Sequence, residues 1–347
     1  MIEAEKEEKT SLCYNLWKES EGLQMALRDI LLTLSKNEMM NTAAQKYGLR
    51  LGAQSVIAGT NLEEMIGNVK KLNAAGIEAT IDHLGEFVYD EAIASRAKED
   101  ILKVIDAIHA HQLNAHISVK PSQVGLDIDI DFCYDNLREI VEYASDYGIF
   151  VNLDMEDYPR LQPTLDMLEE LNKVFDNVGT VIQAYLLRSK EDIEKFADYR
   201  LRIVKGAYQE SEEVAYQDKL DIDINFLELI EYHLLHGKFT SVATHDHNII
   251  NHIKRFAADH NISHEKFEFQ MLYGFRSDLQ KELAKEYKFC TYVPFGKDWY
   301  GYYMRRLAER PQNINLVTKQ VFNKKTNTMI AVAAGAFILG RITKKNK

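Results

Sequence analysis

Residues 78–119, EATIDHLGEFVYDEAIASRAKEDILKVIDAIHAHQLNAHISV, hold one complete structural unit. Two apolar runs, Glu78–Leu84 and Ala115–Val119, flank a stretch whose apolar residues fall three and four apart, Ala97–Ala110. A short continuous apolar run reads as a strand buried on both faces; the three-and-four spacing reads as a helix packed on one side. The alternation continues outward. Further runs lie at Phe150–Met155, Val178–Leu186, Leu201–Val204, Thr240–Thr244, Phe267–Leu272 and Phe289–Val293. Helical spacing recurs at Phe132–Ser145 and Gln162–Phe175. Eight such units with only 5 prolines predict a closed (β/α)8 barrel of the TIM type. An open doubly wound sheet is the rival, but no Gly-x-Gly-x-x-Gly follows the first run, and no phosphate-binding Gly-x-x-x-x-Gly-Lys motif occurs.

The barrel is expected over residues 76–312, with an N-terminal extension and helices over 1–75 and a helical tail over 313–347. Residues 1–24 are polar and charged, and a more strongly patterned helix begins at Met25, which suggests an alternative start. Helical segments continue over residues 36–75, with a turn at Ala58–Asn61. Asn61 is placed to cap a helix over Leu62–Asn73. The apolar run Met329–Gly340 is flanked by lysines and Arg341. It is short for a bilayer span and fits a docked helix or a segment touching a membrane surface.

The chain has 347 residues, 46% of them hydrophobic, and a net charge of -11. That acidity excludes a nucleic-acid binder, which needs a concentrated positive field. The three cysteines, Cys13, Cys133 and Cys290, are scattered, with no Cys-x-x-Cys pair. Neither a disulfide framework nor a thiolate metal site is indicated, and a cytoplasmic setting is expected.

In a barrel, chemistry gathers where strands end and the next loops begin. The runs end in Asp82–Glu86, Lys120–Ser122, Asp154–Glu156, Gln183–Tyr185, Lys205–Tyr208, Thr244–His247 and Tyr273–Arg276. Lys120, Arg202, Lys205, Arg305 and Arg306 are cations brought to one mouth by that geometry, which favours an anionic ligand. Residues 287–310, YKFCTYVPFGKDWYGYYMRRLAER, surround the Arg305–Arg306 pair with tyrosines. Guanidinium forks grip carboxylates, and phenol rings cover a small apolar body. Other readings remain: a metal-dependent hydrolase using His245-x-His247, a Schiff-base aldolase using Lys205 or Lys120, or a non-catalytic sensor.

The strings IDHLGE, VKPSQVG, NLDME, QAYLLR, LRIVKGAY, ATHDHN, QMLYGFR and YVPFGKDWYGYYMRRLAER, in this order, resemble the proline dehydrogenase family in its short, monofunctional bacterial form. The resemblance implies a distorted barrel holding FAD. It implies oxidation of L-proline to pyrroline-5-carboxylate, as the first step of proline catabolism, with electrons passed to a quinone. It further implies a partner dehydrogenase for the product, no metal, and peripheral contact with the inner membrane face. Carried over by position, Asp154 and Arg202 are the implied catalytic residues. Lys120, Arg305 and Arg306 correspond to the carboxylate clamp, and Tyr208, Leu272, Tyr292 and Tyr302 to the wall around the substrate ring. Met155, Gln183, Arg202, Lys205, Gly206, Ala207, Thr244 and His245 correspond to FAD contacts, and Glu86 and Glu309 to carboxylates that orient the arginines. Gln209 departs from the longer relatives, which often carry an aromatic residue there.

Overall fold

The computed structural model describes residues 56–309, with side chains to residue 306. The helices expected between Met25 and residue 55, the tail with its Met329–Gly340 run, and the Glu309 carboxylate lie outside the described residues. The chain divides into two units, and residues 56–297 make up the whole of one. The described part of the other carries the helix Trp299–Glu309.

Unit 56–297 is a closed barrel of eight parallel strands in sequential order. They are β1 (Glu78–His83), β2 (Ala115–Val119), β3 (Val151–Leu153), β4 (Val178–Gln183), β5 (Arg200–Val204), β6 (Phe239–Ala243), β7 (Phe267–Leu272) and β8 (Lys288–Phe295). Helix α1 (Leu62–Asn73) precedes β1. Helices α2 (Glu91–Ala110), α3 (Ile130–Asp146), α4 (Tyr158–Asn172), α5 (Ser189–Lys195), α6 (Lys219–His236), α7 (His247–Asp259) and α8 (Ser277–Leu283) follow the first seven strands, and α9 (Trp299–Glu309) follows β8. The alternation predicted from the apolar runs is therefore the observed one.

β1 ends one residue before the predicted run, and two other strands are shorter than expected by three residues each. β3 ends at Leu153; Asp154 N–H still donates to Val119 C=O at 2.8 Å, while the Asp154 carboxylate bonds Arg202 and Met155 joins the apolar core. β4 stops at Gln183 because the chain turns there, with Leu186 N–H donating to Gln183 C=O at 3.1 Å. β8 runs longer, to Phe295, because it is paired with β1 as far as His83.

Helix starts follow capping chemistry. Asn61 accepts from Glu64 N–H, as its position before Leu62 predicted, and Asp90, Asp129, Asp218 and Asp246 accept in the same way at α2, α3, α6 and α7. Each cap satisfies a backbone donor that the helix leaves over.

The apolar core lies between strands and helices. Ile81, Ile117, Val151, Ile203, Val242, Phe269 and Val293 are buried there, under Leu137, Ile140, Leu168, Phe226 and Ile253. Each such side chain contributes roughly 1.5–3 kcal/mol by leaving water. Inside the barrel the rule is inverted. Where branched apolar residues commonly fill a barrel axis, Thr80, Ser118, Asn152, Arg202, Ser241, Glu268 and Gln270 occupy this protein's strands and are buried. Alternate residues of one strand thus serve oil on one side and hydrogen bonds on the other.

Candidate active site

A connected polar network lies at the carboxyl ends of β1, β2, β3, β5 and β8. Arg202 on β5 reaches across the barrel. Its guanidinium donates to Asp154 Oδ1 at 2.8 Å, to Ser118 Oγ at 2.9 Å and to Thr80 Oγ1 at 3.2 Å. Asn152 Nδ2 donates to the same Asp154 oxygen at 3.1 Å. The Tyr292 hydroxyl lies 2.7 Å from Asp82 Oδ2 and 2.8 Å from Asp154 Oδ2. One phenolic proton thus faces two carboxylates. Lys120 supplies compensating charge, with Nζ 2.8 Å from Asp82 Oδ2, 3.3 Å from the Tyr292 hydroxyl and 3.8 Å from Asp154 Oδ2.

Burial works against the charge on Lys120, but Asp82 and Asp154 outweigh it and hold its ammonium well above the ordinary lysine range. Burial, then Asp154 and Asp82, push the Tyr292 phenol well above its usual value, so the hydroxyl stays a proton donor. Two carboxylates, two cations and one phenol make a set balanced in formal charge. Charge-assisted hydrogen bonds of this kind are about twice as strong as neutral ones, which fixes the side chains in place.

Asp154 makes its short contact with Arg202, whereas Asp82 is the carboxylate against Lys120. Asp82 was not singled out from the sequence. The available signal was its parity with Thr80, which turns both toward the axis, in register with Ser118. Glu156 was also passed over. Its carboxylate accepts from Ser122 N–H at 2.9 Å and from Ser122 Oγ–H at 2.5 Å, and its own C=O accepts from Gln183 Nε2 at 3.0 Å. Burial raises Glu156 to about 7, against the opposing pull of the Ser122 bonds.

The other sequence candidates of unit 56–297 follow the strands of the same rim. Met155 is buried after β3, and Gln183 ends β4. Lys205, Gly206, Ala207 and Tyr208 follow β5, and Lys205 is ion-paired with Asp223 of α6. Thr244 and His245 follow β6; His245 Nε2 accepts from the N–H of Leu272, the last residue of β7, at 3.3 Å. Tyr302, Arg305 and Arg306 lie on α9, where the Arg306 guanidinium sits 5.1 Å from the centre of the Tyr302 ring. Glu86 lies in the loop after β1. His245-x-His247 gains no completing ligands: among the described residues no group of three His, Cys, Asp or Glu side chains is arranged to hold a metal ion.

The family model for proline dehydrogenase matches residues 65–319. The chain belongs to the proline dehydrogenase family. Proline dehydrogenase 2 of Bacillus subtilis is 44% identical over 303 residues, covering 86% of this chain and 100% of that protein. The proline dehydrogenase of Deinococcus radiodurans is 42% identical over 84% of this chain and 96% of its own length. Among solved structures, proline utilization A of Bdellovibrio bacteriovorus, inactivated by N-propargylglycine, superimposes with a TM-score of 0.73 at 24% identity, over 86% of this chain and 38% of that one. It supports the barrel fold. Membership makes this proline dehydrogenase family chain an oxidoreductase acting on proline, and implies a flavin in general terms.

The residues present fit a flavin. Gln183 Oε1 and Arg202 Nε are buried without hydrogen-bond partners, one an acceptor and one a donor, on adjacent strands. A flat heterocycle whose edge alternates N–H and C=O groups matches such a pair. Gly206 has φ +104°, and a Cβ there would lie 2.0 Å from the Tyr185 ring, so only glycine lets the loop after β5 pack against Tyr185. Among the described residues no helix is long and apolar enough to cross a membrane.

Proposed function

We propose that this protein oxidises L-proline to pyrroline-5-carboxylate on FAD and passes the electrons to a quinone, its product feeding a pyrroline-5-carboxylate dehydrogenase. The buried network of Lys120, Asp82, Tyr292, Asp154 and Arg202 carries the reading. So costly a cluster of charge, held rigid at the active face of a barrel, suits a small charged substrate better than it suits stability alone.

In this reading Arg305, Arg306 and Lys120 take the proline carboxylate. Lys120 keeps its proton, so it serves as a fixed cation and not as a base. Tyr208, Leu272, Tyr292 and Tyr302 hold the ring and exclude water. The nearby cations favour the neutral amine, whose lone pair assists loss of hydride from the ring carbon C5. Bound FAD supplies the two-electron acceptor. Met155, Gln183, Lys205, Gly206, Ala207, Thr244 and His245 are its contacts in this reading. Arg202, held by Asp154, would supply positive charge to stabilise a bound, reduced cofactor. Peripheral contact with the inner membrane face would give access to quinone.

The deciding experiment is spectroscopic. The purified protein is expected to be yellow, and L-proline added without oxygen should bleach it. A colourless protein would remove the flavin assignment. A yellow protein that proline leaves unchanged would support a sensor instead of an enzyme.

A further inference from the structure

The amino ends of the strands, on the face opposite the network, carry a second set of charges. A cavity of about 660 Å³ opens there, and Glu78, His116, Tyr147, Phe150 and Arg200 line it. His116 is only 2% exposed. Its Nδ1 lies 2.9 Å from Glu78 Oε1, and its Nε2 has no partner. Nδ1–H of the neutral ring donates to the carboxylate, and Nε2 is enclosed by the protein with essentially no accessible surface. Burial lowers His116, more than Glu78 raises it, and the ring stays neutral. Arg200 is held flat, 4.4 Å from the Phe150 ring centre and 4.5 Å from that of Phe239. One of its nitrogens donates to the fully buried Glu268 at 3.0 Å.

The base of a barrel ordinarily serves stability. Charges buried there incur a desolvation cost that an apolar plug would avoid. The proline chemistry uses none of them. Glu78, Arg200, Tyr147 and Phe150 offer an anion, a cation and aromatic walls around one space.

We propose that this cavity binds a small zwitterion of the amino-acid class, with one ammonium and one carboxylate. Glu78, oriented by His116, receives the ammonium. Arg200 receives the carboxylate, and Tyr147 and Phe150 flank the carbon between them. The site is independent of the redox reading, because none of these residues lies at the mouth.

The test uses the full flavin-loaded chain and ligand-observed NMR with three probes: glycine, methylammonium and acetate. Glycine should bind saturably and about tenfold more tightly than either singly charged probe, as one added charge-assisted hydrogen bond implies. Arg200→Met should weaken glycine binding by a similar factor. Because that variant strands Glu268 and can fail to fold, a second variant is needed. Ala110→Trp, at the exposed end of α2 and on the cavity wall, should abolish glycine binding and leave proline turnover intact. Absence of saturable glycine binding, equal binding of all three probes, or undiminished glycine binding in Ala110→Trp would each overturn the proposal.

Discussion

Arg202 and Asp154 stand 48 residues apart in the chain, yet their side chains meet at 2.8 Å with almost no water around them. Removing one member of such a pair leaves the other charge buried and uncompensated. Arg202→Met should therefore cost about 3–5 kcal/mol of stability. It should also lower flavin content or slow flavin reduction by proline. Thermal denaturation and the flavin absorbance per mole of protein check both parts.

Tyr292→Phe removes the one hydroxyl that spans Asp82 and Asp154. Hydrogen bonds to charged groups are worth roughly 1.5–3 kcal/mol, so kcat/KM for proline should fall about tenfold to a hundredfold. Flavin content should not change, since Tyr292 is assigned to the substrate side. Steady-state kinetics beside an absorbance spectrum separate the two.

Arg305→Met and Arg306→Met should raise KM for proline with a smaller effect on kcat, because ground-state binding of the carboxylate is what they lose. Wild-type KM in both variants would remove the clamp assignment.

Glu156 gives a pH signature. Its native value of about 7 exceeds the ordinary 4.5, so between those limits the folded protein holds a proton that the unfolded chain has released. Stability from this group is complete below pH 4.5 and is lost as pH rises through 7, by on the order of 3 kcal/mol. Glu156→Gln should flatten that decline. Urea denaturation of both proteins at pH 5, 6, 7 and 8 measures the difference.

Gly206→Ala places a Cβ against Tyr185 at a backbone angle that L-residues rarely adopt. Strain and overpacking together should cost about 2–4 kcal/mol. The melting temperature records the cost, and flavin retention shows whether the loop supports the cofactor.

The barrel was legible because every strand keeps apolar residues on its helix-facing side and the helices between them keep their spacing; β2 and β7 begin and end where the predicted runs do. Edges were lost where side-chain chemistry outranked pattern. β3 ends before Asp154, whose carboxylate is bonded to Arg202. Lys120 and Arg202 were legible as cations at strand ends, and the structure joins them through Asp82, Tyr292 and Asp154. Asp82, Thr80 and Ser118 were not legible as partners of either. Their meeting depends on which face of the strand points inward and on strand register. Neither is fixed by residue type, and a one-residue slip would reverse both.

The seam of the barrel has a consequence for synthesis. β8 pairs with β1 along six residues, and Tyr292 meets Asp82 from 210 positions away. A ribosome must therefore deliver nearly the whole catalytic sequence before the ring can shut. Until then β1 offers an open edge to any neighbouring chain, and so late a closure makes assembly slow and prone to aggregation.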